Sequence, residues 1–191
     1  MKSVLISIQP KWCELIANGK KTVEVRKSRP KIEVPFKCYI YETKNEADWH
    51  TYEIPFIGKD GELKDRIYER KLINRSGKVI GEFVCDKIYE IKPFGLEDPI
   101  AFEKQSCMRG NEILRYLGGF YGYGWHISDL KIYDKPKELG EFKTKKKCKD
   151  APYYGICSES CGIAENGECD GREYISRLTR PPQSYCYVEE V

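Results

Sequence analysis

No apolar run in this 191-residue sequence approaches the roughly 18 residues that a membrane-spanning helix needs. Met1-Lys2 leads into the short run Val4-Leu5-Ile6 and not into the long apolar core of a secretory signal, which predicts a cytoplasmic protein. Charge of one sign is also scarce. The 33 Lys and Arg against 30 Asp and Glu leave a net charge of +3, so there is no polybasic coat, and any nucleic-acid site has to be a local patch. Nine cysteines are too few for a disulfide scaffold. Long-range repeats and low-complexity tracts are absent. What remains, 40% hydrophobic and 13% aromatic residues, suits one globular domain with room for an embellishment.

Ser3 to Ile8 reads as a strand. Gln9-Pro10 then starts a helix, since proline at the first helical position loses no needed hydrogen bond. Trp12, Leu15 and Ile16 fall at i, i+3 and i+4 and form its buried stripe, and Gly19 stands where a left-handed cap is expected. In Lys20 to Lys27, Val23 and Val25 alternate with Thr22, Glu24 and Arg26, which puts the three polar residues on one strand face. A third strand is predicted from Phe36 to Thr43.

Residues 44–74 show no sustained period and read as a long connection, with a helical piece around Leu63 to Leu72. Gly77 to Ile91 reads as one long strand in which Gly81 allows a bend, ended by Pro93. Asn111 to Leu117 reads as a short helix closed by Gly118-Gly119. Trp125 to Tyr133 and Ser184 to Val188 read as the closing strands. The expected class is α+β, built on a small β-barrel or half-open sheet with short helices and a cysteine-rich insertion.

Gln9-Pro10-Lys11-Trp12, followed by Gly19-Lys20-Lys21-Thr22-Val23-Glu24-Val25-Arg26, resembles the ASCH family of PUA-like domains, whose signature is a glycine, a lysine, a glutamate and an arginine at this spacing. Trp125-His126-Ile127-Ser128-Asp129 is similar to a late strand of its bacterial and phage-encoded members. The resemblance covers roughly residues 1–135 and the final strand. It implies a barrel over residues 1–142 and a last strand in 174–191 that completes the barrel; residues 44–74 and the cysteine-rich stretch, 143–173, lie outside the resemblance and read as insertions. It also implies a cleft at the barrel mouth that binds RNA or a modified nucleotide.

The residue chemistry fits that implication. Lys21 can engage a phosphate or polarise a carbonyl, Glu24 can accept from a base amino group, and Arg26 can hold a phosphate or base edge bidentately. Thr22 and His126 are secondary candidates for the ligand. The alternative is that Glu24 and Arg26, two apart on one strand face, form a merely structural ion pair. One branch of the family resembles an amidohydrolase acting on N-acylated cytidine, with a lysine-activated threonine nucleophile. That threonine's position is Glu24 here, although Lys21 and Arg26 match. Lys21, Glu24 and Thr22 are therefore catalytic candidates only if the protein is an enzyme.

Tyr39, Tyr41, Tyr121, Tyr123 and Trp125 could stack bases, but packing in the interior is the expectation for most of them, as it is for Trp12. Cys148, Cys157, Cys161 and Cys169 crowd into a polar stretch too poor in apolar residues to build a core. Four thiolates around one structural zinc would staple it, while two disulfides or four free thiols are the alternatives. The basic run from Lys143 to Lys149 borders the first of these cysteines and could touch phosphate. A third role for the chain is a protein-interaction module that docks through this loop. Cys13, Cys38, Cys85, Cys107 and Cys186 read as small buried hydrophobes.

Overall fold

The computed structural model describes residues 3–44, 49–57, 63–71, 77–93, 96–147 and 173–190. In chain order its elements are β1 (Ser3–Ile8), α1 (Pro10–Ala17), β2 (Val23–Arg26), β3 (Phe36–Glu42), β4 (Trp49–Ile57), β5 (Leu63–Lys71), β6 (Val79–Cys85) and β7 (Ile88–Ile91). They continue with α2 (Pro99–Ser106), α3 (Gly110–Leu117), β8 (Gly122–His126), β9 (Ser128–Lys137), β10 (Phe142–Lys147), β11 (Glu173–Arg177) and β12 (Tyr185–Glu190).

A seven-stranded sheet runs β11-β10-β12-β1-β3-β6-β9, a three-stranded sheet runs β2-β8-β7, and β4 pairs with β5. β1 and β3 are parallel, which requires a crossover; α1 and β2 supply it. The expected barrel is corrected here: among the described residues the sheets stand as separate units and do not close. Cysteines 148 to 169 lie outside the described residues.

Alternation distributes the core over both faces of the large sheet. Val4, Ile6, Phe36, Cys38 and Ile40 join Trp125 and the α1 residues Cys13 and Ile16 in one cluster, between the two sheets. Leu5, Tyr39, Tyr41, Val79, Phe142 and Val188 form a second cluster on the opposite face. Tyr39 and Tyr41 are thus interior residues, because β3 is covered on both sides. A third cluster packs Val23 and Val25 of β2 against Phe102, Met108, Ile113 and Leu117 from α2, α3 and their connection. With its valines committed there, β2 turns Glu24 and Arg26 toward the space beneath α1.

Four local expectations change. The stretch read as a connection with a helical piece is a nine-on-nine antiparallel hairpin, from Trp49↔Lys71 to Ile57↔Leu63. Cross-strand pairing overrode the helix-compatible spacing of Leu63 and Ile67. The long strand after Gly77 breaks at Asp86-Lys87, and its halves enter different sheets. Likewise Ile127 separates β8 from β9. Helix α2 was missed, although Asp98-Pro99 announces it: the Asp98 carboxylate accepts from the Ala101 amide at 2.9 Å and Pro99 takes the first helical position.

Gly81 allows a close approach where β6 shifts register against both β3 and β9. A Cβ there would stand 2.5 Å from the Lys131 carbonyl oxygen, at a register shift between β6 and β9.

Candidate functional site

The site is set by how α1 ends. Gly19, at φ +67°, reverses the chain, and the amides of Lys20 and Lys21 both donate to the Leu15 carbonyl, at 2.9 and 3.0 Å. The Thr22 amide then donates to the Gln105 carbonyl at 2.8 Å, tying the entry of β2 to α2. Lys21 is thereby held inside the protein, 1% exposed, at the junction of α1, β2 and α2.

Three charges follow one another there. Lys21 Nζ donates to the Ser106 carbonyl at 2.7 Å and lies 3.4 Å from Glu24 Oε2. Glu24 Oε1 lies 3.4 Å from Arg26 Nη1. Glu24 and Arg26 are each 5% exposed, so this is no solvated surface pair. Burial lowers the Lys21 pKa from its ordinary value, and the Glu24 carboxylate only partly opposes that shift. Lys21 Nζ also stands 4.7 Å from the centre of the Trp12 ring, over which Lys11 Nζ lies at 4.3 Å.

Arg26 is anchored to the large sheet. Its Nη1 donates to the Ser7 carbonyl at 3.1 Å, and its Nη2 donates to the Ser184 carbonyl and, at 3.2 Å, to the Ser184 hydroxyl. Only Nε, itself buried, has no partner among the described residues. The bidentate fork expected to meet a ligand is thus engaged by the Ser7 and Ser184 oxygens.

These residues line a cavity of about 400 Å³, together with Trp12, Met108, Tyr116 and Gln183. That volume falls within the range of small-ligand sites. Two cations stand against one carboxylate, so the wall carries a surplus positive charge. Trp12, expected in the core, is half-buried and forms part of this wall. Tyr116 forms another part; burial raises its pKa, Arg26 pulls it down, and Lys27 Nζ lies 5.7 Å from its ring.

The other candidates lie elsewhere. Thr22 does not line the cavity. His126 pairs with Val23 and so shares the valine face of β2, away from Glu24 and Arg26. Its Nδ1 lies 2.6 Å from Asp86 Oδ1, and this hydrogen bond is the main reason the Asp86 pKa is lowered. Ser128 donates to the Val84 carbonyl at 2.9 Å. Trp125 is fully buried, Tyr123 packs on the first cluster, and Tyr121 is 75% exposed. Sequence reasoning missed Tyr116, which flanks the Ile113 and Leu117 stripe of α3. It also missed Gln183 and Ser184, for which the text around Pro181-Pro182 offers no signal.

Cys13, Cys38, Cys85 and Cys107 are buried thiols outside any disulfide, and Cys186 is a half-buried one. Among the described residues no three His, Cys, Asp or Glu side chains gather as metal ligands. No helix among them is long and apolar enough to cross a membrane.

Among curated proteins none matches the chain. Among solved structures it is similar to the ASCH protein of Zymomonas mobilis, with 16% identity and a TM-score of 0.55 over 98% of this chain and 88% of that one. Two single-residue variants of the same bacterial protein also match. One does so at 16% identity and a TM-score of 0.55, over 98% of this chain and 89% of that one. The other does so at 18% and 0.50, over 73% and 77%. At these identities the likeness speaks for the fold alone. The sequence profile of the ASCH domain matches residues 6–146, a span that includes α1, the whole Lys21-Glu24-Arg26 row and the strands on which it is mounted. By that match, the chain belongs to the ASCH domain family.

Proposed function

We propose that the cavity beneath α1 recognises RNA or a nucleotide, modified nucleotides included, with Lys21 and Glu24 as direct contacts and Arg26 as their fixed electrostatic support. The observation that carries this reading is the surplus positive charge in the wall of a ligand-sized cavity, next to the aromatic rings of Trp12 and Tyr116. A phosphate balances the surplus charge, Glu24 accepts from a base amino group, and the rings give a base a flat surface. Family membership supports the same reading. The test is fluorescence anisotropy with labelled RNA, alongside native mass spectrometry for a co-purified nucleotide. Binding that weakens with salt, and weakens further in Arg26→Ala or in the milder Glu24→Gln, supports the site; RNA binding unaltered in both variants moves it elsewhere.

The lowered Lys21 pKa favours a second reading, amide hydrolysis of an N-acylated cytidine, because a depressed lysine can serve as a base. Thr22, the nucleophile that reading would use, is outside the cavity lining. Turnover of N-acetylcytidine that is lost in Lys21→Met would support it, and absence of turnover by pure protein would remove it.

Cysteines 148, 157, 161 and 169 are proposed to hold one structural zinc, a reading that stands on their donor chemistry in the sequence. Metal analysis of protein purified under reducing conditions tests it: stoichiometric zinc supports it, and none removes it. A protein partner docking on this loop falls on the same undescribed residues.

A further inference from the structure

A second groove, of about 670 Å³, lies on the outer part of the large sheet, over β10, β11 and β12. Its floor is the sheet face on which Tyr185 and Tyr187 of β12, Lys143 and Lys145 of β10 and Ile175 of β11 alternate toward the same side. Its rim is Lys31-Ile32, from the segment between β2 and β3. That rim is pinned in place: the Lys31 amide donates to Tyr187 Oη at 2.7 Å, and Tyr185 Oη donates to the Arg29 carbonyl at 2.8 Å. Lys31 and Lys145 are exposed, and Tyr187 keeps 38% of its surface open, edge-on to Tyr185 at 6.2 Å between ring centres.

Two features say what fits there. The groove sets three lysines against one glutamate, Glu189, which faces Lys143 across the strand pair, so Lys31 and Lys145 carry the surplus. Its lining also meets that of the first cavity along the chain, through three consecutive residues. Gln183 lines the cavity, Ser184 accepts from Arg26, and Tyr185 lines the groove.

We propose that the groove is the track of a single-stranded RNA whose nucleotide occupies the first cavity, with flanking phosphates meeting Lys31 and Lys145 and a flanking base stacked on Tyr187. This rests on the nucleotide reading of the cavity and specifies its substrate class: an oligonucleotide several residues long, not a free nucleotide. Lysines beside an open aromatic ring on a sheet face suit a sequence-tolerant strand, because every phosphate carries charge and every base has a flat face.

The test is fluorescence anisotropy of the full chain with labelled random-sequence RNA as dinucleotide, tetranucleotide and octanucleotide. Affinity is expected to rise with length. The double variant Lys31→Ala/Lys145→Ala should weaken the octanucleotide and reduce its logarithmic salt slope by about 1.4, for two lost phosphate contacts on a single strand. Tyr187→Ala should cost roughly tenfold, and Tyr187→Phe, which keeps the ring but frees the Lys31 amide, should cost less. The dinucleotide should be indifferent to all three. An octanucleotide that binds no tighter than the dinucleotide, one indifferent to the double variant, or one displaced equally well by polyglutamate overturns the groove. If the dinucleotide still binds and depends on Arg26, the cavity reading survives that failure. If no RNA of any length binds, both readings fall.

Discussion

Lys21 Nζ lies 2.7 Å from the main-chain carbonyl oxygen of Ser106, the last residue of α2. An ammonium group on the link between α1 and β2 thus closes the end of a helix 85 residues away in sequence. The same ammonium is the neighbour of Glu24, so one side chain joins a structural tie to the charge pattern of the cavity.

Lys21→Met should therefore destabilise the fold although it keeps an apolar stem in place. It strips the Ser106 carbonyl of its donor and leaves buried Glu24 with Arg26 alone. Removing one partner of a buried pair costs about 3–5 kcal/mol, and the remaining Arg26 contact points to the lower end. Thermal unfolding followed by circular dichroism reads this directly; an unchanged Tm would mean the contact contributes nothing net.

The pH dependence has a definite sign. Lys21 sits below its ordinary 10.5 because burial penalises the ammonium. Between the lowered folded value and 10.5 the unfolded chain keeps a proton that the folded chain has released, so Lys21 makes stability rise with pH across that window. Below the window its charge has to be kept buried. Urea unfolding of wild type and Lys21→Met, compared at neutral pH and at successive pH values up to 10.5, should show the difference shifting in favour of wild type as pH rises. A flat difference would contradict it. An anionic ligand should lose affinity over the same window, when the ammonium discharges.

Gly81→Ala should be damaging where a strand glycine is often replaceable. The new methyl would stand 2.5 Å from the Lys131 carbonyl, backbone against which no side chain can rotate away. Overpacking of this kind costs roughly 1–3 kcal/mol. Chemical denaturation measures it, and a midpoint equal to wild type would show that β9 yields more easily than the register implies.

The buried cysteines should be slow to react. Burial pushes the Cys85 thiol up to about 12 and the Cys186 thiol up to about 11, and raises Cys38 well above its ordinary value. The thiolate is the reactive form. Native alkylation at about pH 8 with peptide mapping should leave Cys38 and Cys85 unlabelled until denaturant is added. Labelling of either at the rate of an unfolded control would contradict their placement.

The sequence was most legible where one residue type had one local job. Pro10, the Trp12-Leu15-Ile16 spacing and Gly19 mark the ends and the buried face of α1, and the alternation after Lys21 places Glu24 and Arg26 on one face. What it concealed was tertiary. Alternation cannot say that the second face of β2 or β3 is also covered, so it left Glu24-Arg26 open between a ligand contact and a structural ion pair, and Tyr39 and Tyr41 open between packing and base stacking. The break at Asp86-Lys87 carries no turn signature, since Cys85 and Ile88 continue an apolar pattern into a different sheet. Leu63 and Ile67 suit a helix as well as a strand until β4 is there to pair with them. Ser184 became part of the site only because β12 returns beside β1.

That return has a temporal meaning. β12 inserts between β1 and β10, and the Ser184 oxygens that hold Arg26 precede it directly in the chain. A ribosome that has translated the entire family-matched span, through residue 146, has made every charge of the cavity but not the carbonyl that fixes the arginine. At that moment β1 still lacks its antiparallel neighbour. The anchor of the arginine and the Gln183 part of the cavity wall are therefore added only once synthesis has passed Ser184, however long the earlier strands have waited.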